Sequence, residues 1–169
     1  MQISKGVEWA VHAASLLNGL PVGRGLKAEA MARYHDVPAA YMAKQLQALS
    51  KAGITKSSRG AHGGYRLAKP ADQISLWDIT AAVDGKGPAF RCTEIRQNGP
   101  CGLKPKDCKQ ACQIAAAFAA AEQAFRDSLA AISLADIAGQ VVNDAQPDHL
   151  FAIMNWLNAE AEPLSDKNL

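Results

Sequence analysis

The stretch YMAKQLQALSKAGITKSSRGAHGGYRLAKP, residues 41–70, predicts the fold, because a helix-forming run passes directly into a glycine-rich hairpin. Pro38 suits the first turn of that helix, and Gly53 suits its C-terminal cap. Short strands are predicted at Ile54–Ser57 and Tyr65–Ala68, on either side of the loop SRGAHGG. A hairpin in this position is typical of the wing of a winged-helix domain.

The residues before this stretch supply the rest of a helix-turn-helix motif. A short helix is predicted at about Lys27–Tyr34, and the turn HDV separates it from the helix that Pro38 opens. Two short helices joined by three or four residues are the helix-turn-helix pattern. A further helix is predicted at residues 2–18, and the segment SLWDITAAVDG begins another, with Ser75 as its N-cap. Residues 1–85 are therefore predicted to form a winged-helix DNA-binding domain.

The second half of the chain is predicted to be helical after a cysteine-bearing sensor loop at residues 86–109. A long alanine-rich helix is expected at about Gln110–Ile132, followed by helices at about 133–142 and 149–160. The long helix carries a heptad-like apolar seam made of Ile114, Phe118, Ala121, Phe125 and Ile132. Such a seam packs either against its copy in a second subunit or back onto its own chain, and we favour the homodimer. The predicted fold is mostly α with a small β wing, and residues 110–169 hold the dimerisation helix and the C-terminal helices.

The charges are distributed unevenly along the 169 residues. Residues 1–70 carry ten Lys and Arg against three Asp and Glu, whereas residues 71–169 carry eight against thirteen. A basic half of this kind is expected to meet a polyanion. No segment is apolar enough to span a membrane or to act as a signal peptide, and no catalytic constellation is evident. We therefore expect a cytoplasmic protein that is not an enzyme, has no small-molecule substrate and binds double-stranded DNA.

The outward face of the second helix of the motif is the predicted DNA-reading surface. Its lysines suit guanine or phosphate, and its glutamine suits adenine. The basic side chains of the hairpin are expected to reach the DNA backbone or the minor groove. The predicted DNA contacts are Ala39, Ala40, Lys44, Gln47 and Lys51 on the helix and Arg59, His62 and Arg66 on the wing. Winged helices also bind proteins, and some basic faces are only solvated, so both alternatives stay open.

Four cysteines lie within 21 residues, at Cys92, Cys101, Cys108 and Cys112. In a cytosolic protein this density indicates metal, cluster or redox chemistry rather than structural disulfides. A second pattern lies in the first helix, where Glu8 and His12 are four residues apart and share one helix face. Such a pair suits metal binding but is also common as a simple surface pair.

The wing carries a resemblance to a known family. The run G-x-x-G-G-Y-x-L, formed by Gly60, Gly63, Gly64, Tyr65 and Leu67, resembles the wing signature of the Rrf2-type winged-helix regulators, the IscR/NsrR family. The resemblance extends over almost the whole chain, through the cysteine loop to the long helix. It implies a homodimeric transcription factor. Many family members hold an iron–sulfur cluster with loop cysteines and one other ligand, and others have no cluster.

The segments GVEWAVH and CTEIRQNGPC are similar to those of the RsrR-type redox sensors of this family. In that subgroup, a glutamate and a histidine of the first helix bind one iron of a [2Fe–2S] cluster, and two loop cysteines of the other subunit bind the second iron. The resemblance therefore implies Glu8 and His12 as ligands. Phe118 matches the aromatic residue that follows the last cysteine ligand of the family, which makes Cys112 the best match to that ligand.

The second cysteine ligand is expected to be Cys108, four residues before Cys112, with both near the start of the long helix. Cys101 is the expected substitute, and Cys92 is expected to pack as a small apolar side chain instead. Two alternatives remain. In one, a cluster-free regulator uses a thiol–disulfide switch or zinc. In the other, the protein is a scaffold or cluster-carrying module that does not bind DNA.

Overall fold

A computed structural model describes residues 2–58, 60 and 63–164 of the chain. The helices of this part are α1 (Lys5–Asn18), α2 (Ala28–Tyr34), α3 (Ala39–Lys51), α4 (Leu76–Asp84), α5 (Gln113–Ala130), α6 (Leu134–Asp144) and α7 (Pro147–Glu160). The strands are β1 (Arg24–Gly25), β2 (Thr55–Ser58), β3 (Gly64–Leu67) and β4 (Glu162–Pro163). Two antiparallel pairs result, β1 with β4 and β2 with β3. The prediction of a mostly α fold with a small β wing is confirmed.

The helix-turn-helix motif consists of α2 and α3, and the end of α3 fixes the direction of the wing. Gly53 has a left-handed backbone, with φ of 70°. Its N–H donates to the carbonyl of Ser50, and the N–H of Ile54 donates to the carbonyl of Leu49. This is the Schellman cap, in which the apolar residue after the glycine packs against the last turn of the helix. Ile54 is accordingly buried, and β2 begins one residue later than predicted.

The wing, β2 and β3, is joined to β1 at its base. The backbones of Leu26 and Tyr65 exchange two hydrogen bonds, of 2.9 and 2.8 Å. Beside this bridge, a side-chain carbon at Gly64 would lie 2.8 Å from the backbone nitrogen of Leu26. Only glycine permits that approach, which gives this glycine of the wing signature a structural role.

Helix α1 lies at the centre of the protein and divides the core into two clusters. Ala13, Leu16 and Leu17 pack with α2 and α3 in the first cluster. Ala10 and Ala14 pack in the second, with residues of α4 and the start of α6. The alanines allow close helix packing because their side chains are short. The remaining face of α1 is left for polar side chains.

Two helices begin later than the sequence pattern suggests. The backbone N–H and hydroxyl of Ser4 both bind the Asp84 carboxylate, so α1 starts after Ser4. Helix α5 was expected from about Gln110 but starts after Cys112, whose backbone is extended. The carbonyl of Gln110 instead accepts a hydrogen bond from Arg96, at 3.1 Å. Cys108 and Cys112 therefore do not share a turn of helix, although they are four residues apart.

The C-terminal end of the described chain returns to the winged helix, which the sequence did not predict. Leu157 of α7 is buried in the first core cluster, and the Trp156 ring lies 4.5 Å from the Tyr34 ring. Beyond α7, β4 pairs with β1 through Arg24 opposite Pro163 and Gly25 opposite Glu162. Strands of two residues carry no recognisable sequence period, so this pairing is visible only in three dimensions.

Candidate functional sites

The predicted reading surface of α3 is exposed. Met42, Leu46 and Leu49 are fully buried, which turns the opposite face of the helix towards solvent. The exposed residues of that face include all five predicted helix contacts, Ala39, Ala40, Lys44, Gln47 and Lys51. Tyr41, in the first turn of the same helix, is exposed and contacts Trp9 of α1 edge-on, with ring centroids 5.8 Å apart.

The wing adds a polar surface next to α3. Lys56 of β2 lies opposite Arg66 of β3, so two cations occupy neighbouring strands. A shallow recess beside them is lined by Ser50, Thr55, Lys56, Ser57, Ser58 and Arg66. Hydroxyl and cationic side chains of this kind suit phosphate oxygens. The other two predicted wing contacts, Arg59 and His62, lie outside the residues that the structure describes.

Glu8 and His12 are both exposed on one face of α1, as their spacing predicts. Within the described part of the chain, the Glu8 carboxylate has no ion pair or hydrogen bond. The His12 ring lies 5.2 Å from the ring of His35, which follows α2 in the turn of the helix-turn-helix. Burial lowers the pKa of His35, and the charge of His12 lowers it further. Among the described residues, the buried Nε2 atom of His35 has no hydrogen-bond partner.

Cys112 occupies the N-cap position of α5 and is buried. The backbone N–H groups of Ala115 and Ile114, in the first turn of α5, lower the pKa of its thiol, and the Arg96 guanidinium acts in the same direction. Thiols at helix N-termini next to a cation favour the thiolate, which is the form that binds metal. The surroundings of Cys112 therefore suit a metal ligand or a reactive thiol.

Arg96 organises the cysteine loop. Its guanidinium donates to the Glu94 carboxylate, at 2.7 and 3.1 Å, and to the carbonyl of Gln110. The hydrogen bond that Arg96 donates to Glu94 raises the pKa of Arg96, and the charges of Glu94, Cys108 and Cys112 raise it further. The loop thus folds around one cation that faces both predicted cysteine ligands. Arg96 was not among the predicted site residues, because nothing in its spacing from the cysteines marks it in the sequence.

The other two cysteines differ in their surroundings. Cys101 is exposed, and no described side chain engages it. Cys92 is exposed as well, and its sulfur accepts a hydrogen bond from the N–H of Glu94 at 3.4 Å. Cys92 also lines a groove along the N-terminal half of α5, beside Ala111 and Ala115. The structure thus gives Cys92 a polar contact near α5 rather than the apolar packing predicted for it.

The beginning of the loop is held against α5. Phe90 stacks on Phe118, with ring centroids 4.6 Å apart and an interplanar angle of 20°. Glu122 accepts a hydrogen bond from the N–H of Ala89, and Arg126 lies over the Trp77 ring of α4. Even so, the described chain buries no residue of α5. Ile114 is 61% exposed and Phe118 52% exposed, so the N-terminal half of the predicted seam faces outward, whereas Phe125 and Ile132 are half-buried.

A comparison with protein-family models gives a match over residues 3–140, to the Rrf2 family, described as iron-dependent transcriptional regulators. The chain belongs to the Rrf2 family. Curated relatives support this assignment and are HTH-type transcriptional regulators. YffB of Lactococcus lactis is 30% identical over 140 residues, which cover 83% of this chain and 88% of YffB. YwgB of Bacillus subtilis is 36% identical over 98 residues, which are 58% of this chain and 63% of YwgB.

Solved structures agree on the Rrf2 fold. T. potens IscR superposes with a TM-score of 0.64 at 20% identity, over 89% of this chain and 96% of that one. CymR, the global cysteine regulator of B. subtilis, superposes with a TM-score of 0.62 at 21% identity, over 83% and 98%. The family match and the curated relatives make the chain an Rrf2-type transcriptional regulator rather than an enzyme. None of its described helices is long and apolar enough to cross a membrane.

Proposed function

We propose that the protein is a homodimeric, DNA-binding regulator whose affinity for its operator depends on a [2Fe–2S] cluster shared between two subunits. DNA binding through α3 is supported by the exposure of Lys44, Gln47 and Lys51 on one face of that helix. In helix-turn-helix proteins the second helix of the motif enters the major groove, and its side chains read base edges there. The basic recess of the wing would then lie against the adjacent backbone.

The homodimer is supported by the state of α5 in a single chain. The described chain leaves Ile114 and Phe118 of this 18-residue helix more than half exposed to water. Contiguous exposed apolar residues on a helix mark an interface, and a heptad-like seam suits a second copy of the same helix. Symmetric pairing would remove both side chains from water at once.

The cluster proposal rests on one observation. Within one chain, the proposed ligands Glu8 and His12 lie apart from the proposed cysteine ligands. Glu8 and His12 point outward from α1, whereas Cys112 occupies the N-cap position of α5 beside the loop. Among the described residues, no three His, Cys, Asp or Glu side chains come together in a way that could hold a metal ion. A site that uses both pairs therefore needs two chains. We propose that α1 of one subunit meets the cysteine loop of the other.

The chemistry of the donors fits such a cluster. Thiolates are the usual ligands of iron–sulfur clusters, and the cation-flanked Cys112 is suited to supply one. Glu8 has no partner within the described residues and is accessible as an oxygen donor. Cys108 and Cys92 are both candidates for the second thiol, since Arg96 faces Cys108 and the groove of α5 includes Cys92. When bound, the cluster supplies reversible one-electron chemistry.

Two contacts connect the proposed ligands to the DNA-binding motif. Trp9, next to Glu8, touches Tyr41 in the first turn of α3, and His12 faces His35 in the turn before α3. A change in the position of the α1 face would therefore shift both ends of the turn that sets the angle of α3. Affinity for a two-part operator is sensitive to that angle, because the two recognition helices must match the half-site spacing.

A thiol–disulfide switch is the second candidate, and the lowered pKa of Cys112 supports it. A thiolate near other cysteines reacts with oxidants and then with a neighbouring thiol. The two candidates differ in the iron content that they require. Two-fold symmetry creates two equivalent shared sites in a dimer, so the cluster proposal requires about two iron and two sulfide per chain in anaerobically purified protein. The thiol switch requires no metal.

DNA binding is tested with duplexes selected from genomic fragments, by fluorescence anisotropy over a range of salt concentrations. Lys44→Gln should weaken binding to every duplex and reduce the slope of log affinity against log salt by about one, because one phosphate contact is lost. Gln47→Ala should instead reduce the preference for the selected site by about 1–3 kcal/mol. Lys106→Gln, in the cysteine loop, is the matched control and should change neither. Wild-type protein that binds no duplex at low salt would leave the scaffold as the remaining alternative.

A further inference from the structure

The C-terminal arm, defined as Glu160–Leu164, lies against the first part of the helix-turn-helix. Its strand β4 pairs with β1, and the N–H of Leu164 donates to the carbonyl of Gly23 at 2.9 Å. Leu164 itself is buried. The arm follows α7, which begins at Pro147, so it lies beyond the residues that match the family model, 3–140. Its role is therefore separate from what the family match describes.

Three consecutive residues of the arm engage three cations of the basic half. The Arg33 guanidinium donates to the Glu160 carboxylate at 2.8 Å. The Arg24 guanidinium donates to the carbonyl of Ala161 at 2.7 Å. The Lys27 ammonium group lies 3.0 Å from the Glu162 carboxylate. Three of the ten cations in residues 1–70 are thus bound by the acidic second half of the same chain.

These ion pairs can be exchanged for other partners. The Lys27 and Arg33 side chains are 43% and 63% exposed, and their glutamate partners are 31% and 34% exposed. Ion pairs at this level of exposure contribute little to stability, because water and salt screen them. The position of the arm instead depends on strand pairing and on the packing of Leu157, Trp156 and Leu164. The arm can therefore stay in place while its carboxylates lose their cations to another anion.

Two of the three cations belong to the first helix of the helix-turn-helix. Lys27 is the N-cap of α2 and Arg33 lies in its last turn. In complexes of this class the first helix crosses the DNA backbone. Lys and Arg are the side chains that most often contact phosphate oxygens. We propose that Lys27 and Arg33 form a backbone-phosphate surface for which the carboxylates of the C-terminal arm compete, so that the arm lowers affinity for DNA of any sequence. Arg24 helps to hold the arm through the carbonyl of Ala161. The competition rests on the DNA-binding function proposed above but not on the cluster.

The test uses Glu160→Gln combined with Glu162→Gln, which keeps the shape of the arm and removes its charges. The probe is a random-sequence duplex, titrated by fluorescence anisotropy with the full chain. The variant should bind about three- to tenfold more tightly at low salt, with a salt slope steeper by about one to two, because released cations gain phosphate contacts. The control is Asp144→Asn combined with Asp148→Asn, which changes net charge equally and should alter affinity less than about twofold.

A second variant separates the release of cations from any change in the arm. Adding Lys27→Gln and Arg33→Gln to the two glutamine substitutions should return the salt slope to the wild-type value or below it. Thermal melting of each variant reports whether the fold is kept. Unchanged or weaker binding by the folded Glu160→Gln, Glu162→Gln protein would overturn the competition while leaving the DNA-binding function intact. Tighter binding that survives the loss of Lys27 and Arg33 would overturn it as well. No binding of wild-type protein to any duplex would overturn both.

Discussion

The His12→Ala and Cys112→Ser proteins, purified without oxygen, should each lose the cluster iron, the sulfide and the visible absorption of the wild type. The reason is that a [2Fe–2S] cluster needs four protein ligands, and each substitution leaves one of the two irons with a single protein ligand. Cys112 is the thiol whose pKa is lowered by the backbone of α5 and by Arg96. His12 lies on the accessible face of α1. We expect a fall from about two iron per chain to less than about a tenth of that.

Matched variants show whether the loss of iron is specific to the proposed ligands. His149→Ala removes an exposed histidine that has no partner among the described residues, and it should keep the full spectrum. Serine replacements of Cys92, Cys101 and Cys108, one at a time, identify the second thiol ligand: one of them should behave like Cys112→Ser, and two should not. A wild-type spectrum in either His12→Ala or Cys112→Ser would contradict the proposed ligation.

The Phe118→Asp protein should be a monomer. Phe118 is half exposed in the N-terminal half of the α5 seam and stacks on Phe90 of its own chain. Two-fold symmetry would bury the new carboxylate twice, next to its own copy, and unpaired buried charges are strongly unfavourable. We expect the dissociation constant of the dimer to rise by at least about a hundredfold, equivalent to about 2.7 kcal/mol.

Ala120→Asp is the control for this substitution, because it places the same charge on a different, exposed face of α5. That protein should remain dimeric in analytical ultracentrifugation at the concentration where Phe118→Asp is monomeric. Circular dichroism should report the same helix content for both, since the described chain buries no residue of α5. A Phe118→Asp protein that stays dimeric would mean that the seam is not the interface.

The fold was predictable because its signals are local. Gly53 and the Ser75 cap each act within a few residues, and the Ser75 cap is present as expected, in a capping box with Asp78. The predicted starts of α1 and α5 were wrong because residues distant in the sequence hold the backbone that precedes each helix. Asp84 holds Ser4 before α1 begins, and Arg96 holds the carbonyl of Gln110 before α5 begins.

The candidate sites were predictable only in part. Spacing alone placed Glu8 and His12 on one face of α1, and the structure agrees. The contact between His12 and His35 was not foreseen, because 23 residues separate the two and no period links them. The spacing of Cys108 and Cys112 could not give their arrangement, since four residues correspond to one helix turn only where the chain is helical. The cations held by the C-terminal arm could be counted in the sequence, but their partners could not be named.

The most direct test of the shared site is a mixed dimer. One chain carries Glu8→Ala and His12→Ala, the other carries Cys112→Ser, and two different affinity tags isolate the heterodimer after anaerobic co-expression. Neither variant alone should hold iron. If α1 of one subunit and the loop of the other form the site, the heterodimer has one complete site of two and should contain about half of the wild-type iron and sulfide. A heterodimer without iron, beside wild-type protein that holds its full content, would contradict ligation across the subunits.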